Sequence, residues 1–165
     1  FLSSDAITHS YSRIKRTSHI INQIPSKEID SFFSLSSTIG GYIIFPSNKV
    51  NNQMTINGAR GLNSKILDRF DLTLECIRRH YLNENSPLSD VLQRYFAFFS
   101  LFQDFRGYVD FFLLQDLVTE DYSSIKFYLP FDSFNNSPVP SNVKEYLSYK
   151  NNVTDFILAR NHRTL

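Results

Sequence analysis

Sixteen phenylalanines and nine tyrosines without a single tryptophan decide what this 165-residue chain can fold into. Each buried ring removes roughly 150–250 Å² from water, so such an interior is filled by a few large pieces of definite shape. A helical scaffold that converges rings on one centre suits that material, and it needs no covalent ties. The single Cys76 excludes an internal disulfide framework, and no Cys/His spacing matches a structural zinc site. A reducing, cytoplasmic setting is therefore expected. Hydrophobic residues make up 42% and charged residues 20%, which excludes general disorder and a coiled-coil rod. The length suits one core, so residues 1–165 are read as a single α+β domain, predominantly helical, with a small sheet and an aromatic-rich helical core. A net charge of +1 is no strong nucleic-acid signature. No apolar run approaches the roughly 20 residues that cross a bilayer.

Phe1 to Ser4 reads as the end of a strand. The pattern after it predicts a helix over 11–23 with Ile14, Ile20 and Ile21 inward, and a short helix over 27–35 after Ser26. Thr38 to Phe45 reads as a buried strand stopped by Pro46, in which Gly40-Gly41 marks a close approach. An Asn-rich turn then leads to a short strand at Met54–Ile56. Ile66, Phe70, Leu74, Ile77 and Tyr81 recur at helical intervals and predict a long helix over 63–82. Ser86-Pro87 opens another helix that reaches Phe102, and Asp104 caps a third through Leu114; these two are the expected core. Ile125 to Leu129 is β-rich and is expected to pair with the Tyr42 strand. A proline-bearing loop precedes a last helix from Ser141 to about Asn161.

Thr38-Ile39-Gly40-Gly41, Thr55-Ile56-Asn57-Gly58-Ala59-Arg60-Gly61, the stretch from Asp68-Arg69-Phe70-Asp71 to Arg79-His80-Tyr81, and Asp104-Phe105-Arg106-Gly107-Tyr108 together carry a resemblance. With them the chain resembles, over nearly its whole length, DUF6994, a bacterial family of unknown function. The resemblance implies a bacterial, cytoplasmic setting and a further segment ahead of Phe1. It supplies no assigned chemistry, so it carries over no catalytic residues and names no cofactor.

The candidate sites therefore come from the residues. Asn57-Gly58-Ala59-Arg60-Gly61 feeds the helix expected at Asn63. Glycines can turn backbone N–H groups toward one point, a helix start adds partial positive charge, and Arg60 can fork onto a phosphate. Asn57, Gly58, Arg60, Gly61 and Asn63, with Arg78 and Arg79 adding charge, form a candidate site for a nucleotide or other phosphorylated ligand. The spacing is neither a P-loop nor a dinucleotide fingerprint, and an ordinary turn is the plainer use of such glycines.

Asp68, Asp71, Glu75 and Arg79 share one helical face by their three- and four-residue spacing. Structural pairing of Glu75 with Arg78 or Arg79 competes there with an acid/base role, and with no histidine on that face no metal site is expected. His80, Glu75 and Asp71 are the candidates for a phosphodiester-processing enzyme, a nuclease or transferase, provided they converge on the Arg60 segment. Arg106 and Asp110, four apart in an apolar stretch, are expected to form a buried ionic network. Cys76 is expected to be a small packing residue. A third possibility is a protein-interaction module without catalysis, using an exposed aromatic patch near Phe127, Phe131 and Phe134.

Overall fold

The computed structural model describes residues 2–8 and 17–165. β1 (Leu2–Ala6) pairs antiparallel with β2 (Tyr42–Pro46), in a register that sets Ser4 opposite Ile44 and Ala6 opposite Tyr42. Among the described residues these two strands are the whole sheet, and α1 (Ser18–Ile21), α2 (Ser26–Ser36), α3 (Ile56–Leu62), α4 (Phe70–Tyr81), α5 (Ser89–Arg94), α6 (Phe96–Ser100), α7 (Phe105–Phe111) and α8 (Val143–Arg163) make up the rest with short 3₁₀ turns. The fold is thus the expected helix-rich α+β one. Of the helix read over 11–23, residues 11–16, Tyr11 and Ile14 among them, lie outside the described residues; of the remainder, Ser18–Ile21 forms α1, with Ile20 buried.

α4 occupies the centre. Its apolar stripe is buried as predicted, but so is the opposite face: Asp71 and Thr73 are fully enclosed and Glu75 nearly so. An amphipathic pattern would leave those polar residues in water; here they are enclosed because each has an internal partner. α4 also starts later than its periodicity suggests. Asn63 accepts from Lys65 N with its side-chain oxygen, and Leu67 and Asp68 take left-handed backbone conformations (φ 44° and 63°) that interrupt the helix before Phe70.

Other differences have equally local causes. Thr55 accepts a hydrogen bond from Gly58 N at 3.2 Å and so caps α3 where a strand was expected. Ile125 makes only an isolated bridge to Val118. Beyond it, Tyr128 N donates to the Asp71 carboxylate (2.9 Å) and Tyr128 O accepts from Asn152 (2.8 Å), so side chains take the groups that a strand would use. The helix expected from Ser86 to Phe102 is broken at Tyr95 into α5 and α6, leaving Phe99 buried and Phe96 exposed. Asp104 does cap α7 through Gly107 N at 2.7 Å, and Asn142 caps α8 through Glu145 N at 2.8 Å.

α8 packs on α1, α2 and both 3₁₀ turns. The rings of Tyr81, Phe98, Phe99, Phe102, Tyr108 and Phe112 interlock at centroid separations of 4.8–6.4 Å, mostly tilted or edge-on, where α4, α6 and α7 meet. The expected core helices are therefore one wall of the interior, with α4 and α8 as the others.

Gly40-Gly41 is the close approach that the sequence suggested. A Cβ on Gly40 would stand 2.6 Å from Asn161 Oδ1, and one on Gly41 would collide with the Ser36 carbonyl. Because the Ser36 carbonyl is backbone, Gly41→Ala should lower unfolding free energy by about 1–3 kcal/mol; urea denaturation of the two proteins measures the difference.

Candidate functional site

Arg60 belongs to α3 and is fully buried. Its guanidinium pairs with Asp5 of β1, lies 3.7 Å from Asp68, and donates to Thr73 Oγ1 (3.0 Å) and to the Asp68 carbonyl (2.6 Å). Enclosed and partnered in this way, it presents no surface to a phosphate in solution. Nor does the segment form the glycine-rich turn that was expected: it is helical, and no glycine has positive φ. Gly61 faces the Asp68 carboxylate, Asn57 donates to Ser3 Oγ (3.0 Å), and Asn63 donates to Pro87 O (3.4 Å). The segment works as an internal junction. Burial raises the Asp68 carboxyl above its usual range; Arg60 pulls it down and Asp5 pushes it further up.

The acids of α4 are likewise committed. Asp71 is held by Arg69 through two hydrogen bonds (3.0 and 2.5 Å) and accepts from Tyr128 N. Glu75 receives Arg78 on both oxygens (2.8 Å each) and Arg79 Nε at 3.0 Å, and the Glu75 contact raises the Arg78 pKa. His80 packs its ring against Phe99 and Tyr81, 5.2 and 5.7 Å between centroids, and burial lowers its pKa. No hydrogen bond joins His80 to Glu75 or Asp71 among the described residues. Among those residues, too, no three His, Cys, Asp or Glu side chains gather as a metal set. Cys76 is sealed inside, and burial pushes its thiol up to about 12.

Arg106 and Asp110 are exposed, which corrects the expected buried network. Tyr122 comes between them: its hydroxyl donates to Asp110 (2.5 Å) and its ring lies under the Arg106 guanidinium at 4.4 Å. The exposed aromatic patch also lies elsewhere. Phe127 and Phe131 stack at 4.2 Å and Phe134 is buried.

Among the surface clefts, two bear on the candidate functions. A polar cleft of about 320 Å³ is lined by Lys65, Arg79, Asn85, Ser86, Phe134 and Asn135, with the Arg79 guanidinium 4.9 Å from the Phe134 ring centre. An apolar groove of about 500 Å³ lies across the outer sheet face, walled by Ile39, Tyr42, Ile44, Phe111, Phe112 and Leu113. Arg160, only 8% exposed, also lines it and donates to the carbonyls of Phe112 (3.0 Å), Gly40 (3.1 Å) and Tyr42. Burial lowers the Arg160 pKa. Reading the sequence passed over this groove, although the Tyr42/Ile44 alternation in β2 and an arginine three residues after buried Ile157 on α8 were both signals of it.

A family model described as "Family of unknown function (DUF6994)" matches residues 1–164. No curated protein and no solved structure matches.

Removing Arg60 would set Asp5 and Asp68 against each other without their shared cation. Arg60→Met should cost about 3 kcal/mol of stability, and adding Asp68→Asn should restore part of it. Denaturant titration of the single and double variants checks both.

Proposed function

The chain belongs to the DUF6994 family, and from that premise we propose that it is a protein-interaction module whose groove on the outer sheet face receives an apolar segment of a partner. One observation carries this reading: Ile39, Tyr42, Ile44 and Phe111 are 69%, 39%, 42% and 68% exposed, and all four line one groove. Leu2, 61% exposed, alternates onto the same sheet face. Large apolar side chains grouped like this are costly in water and mark contact surfaces. In contrast, the ionic residues best suited to chemistry, Arg60, Asp71 and Glu75, are occupied with one another's neighbours inside the fold. That distribution supports recognition over catalysis.

A photo-crosslinking residue in place of Phe111 should give a discrete adduct in cells, and the same group in place of exposed Ser137 should not. Ile44→Glu should remove the adduct while leaving the circular dichroism spectrum unchanged. No adduct from Phe111 would count against the groove.

A second reading, binding of a phosphorylated ligand, is favoured by the polar cleft. There Lys65 and Arg79 line one opening beside the Phe134 ring, a combination that suits a phosphate next to a flat base. Arg79 from the original candidate set takes part, and Arg60 does not. Nucleoside phosphates at millimolar concentration should raise the melting temperature of the wild type, and Lys65→Ala should abolish the rise. An equal rise in the variant would place binding elsewhere.

A further inference from the structure

This inference rests on the groove reading and specifies its occupant. Arg160 is a buried cation without a carboxylate: among the described residues its bonds go to three backbone carbonyls through Nε and Nη1. Among the described residues its other terminal nitrogen, Nη2, makes no hydrogen bond, and it is absent from the polar atoms sealed from solvent without a partner. Arg160 itself is one of the residues that line the groove. A guanidinium taken mostly out of water, with an unused N–H and a place in the wall of an apolar channel, is complementary to an anion that arrives attached to an apolar group.

We infer that the groove receives the C-terminal tail of a partner protein, its last side chains against Ile39, Tyr42 and Ile44 and its terminal carboxylate on Nη2 of Arg160. A chain terminus carries its charge directly on its last residue, so the carboxylate and the apolar side chain enter together. The extent of the apolar surface favours a tail over a free small acid. Ile39 and Phe111 are more than two-thirds exposed and Leu2 lies beyond them, whereas the groove itself holds about 500 Å³. A small acid would leave those side chains in water; the preceding residues of a tail would cover them.

The test uses two pools of short fluorescein-labelled peptides with apolar residues at the last three positions, identical except that one ends in a free carboxylate and the other in an amide. Fluorescence polarisation should show the free-acid pool binding at least about tenfold more tightly, as expected for a charge-assisted hydrogen bond. Arg160→Lys should bring the free-acid pool toward the amide value, and Ile44→Glu should abolish binding of both pools. If the amide pool binds the wild type equally well and Ile44→Glu still abolishes it, the carboxylate contact is overturned while the groove reading survives. If neither pool binds at millimolar concentration, the tail is overturned, and crosslinking at Phe111 decides the groove reading separately. The peptide comparison on the wild type keeps its force even if Arg160→Lys fails to fold.

Discussion

The junction at Arg60 ties together four separate stretches of the chain. One guanidinium reaches a carboxylate and a carbonyl on β1, the carbonyl of Asp68 in the turn before α4, and the Thr73 hydroxyl inside α4. A strand, a short helix, an irregular turn and the central helix are thereby fixed to one planar group. Five donors in a rigid fork can do this where an ammonium could not. The left-handed pair Leu67-Asp68, costly for residues with side chains, persists because the junction takes the Asp68 carbonyl. From there α4 runs through the centre and the aromatic wall assembles along it.

Much of the helical plan was legible. Phe70, Leu74 and Ile77 carry a true period, Asp104 is a true cap, and Gly40-Gly41 marks a true contact. What could not be read depends on partners distant in sequence. Asp71 looks like an exposed acid on the polar face of a helix until Tyr128, 57 residues away, brings its amide to it. Arg60 looks like a phosphate ligand until Asp5, 55 residues earlier, occupies it. Periodicity describes which face of an element is apolar. It cannot say that a polar face will also be covered, because covering depends on hydrogen bonds made by other elements. The pairing of Glu75 with Arg78 and Arg79 was legible for the complementary reason that it lies within one helix.

The arginines divide by the kind of partner they have. Arg60 and Arg69 neutralise carboxylates inside the fold, and Arg78 and Arg79 share Glu75 nearer the surface. Among the buried arginines of the described residues, Arg160 alone has only carbonyl dipoles as partners, which leave its charge uncancelled. The three carbonyl dipoles make a buried positive charge tolerable there, and the proposed tail would supply the anion that the fold does not.

The enclosure of Cys76 has a practical side. A thiol sealed in the core and held protonated far above neutral pH is a poor nucleophile toward maleimides and oxidants while the protein stays folded. The native chain is thus silent to thiol chemistry, so a cysteine introduced at any exposed position becomes the sole handle for a dye, a spin label or a surface tether. The same silence makes the native thiol a reporter of global opening, since a reagent in solution reaches it only when α4 leaves the core.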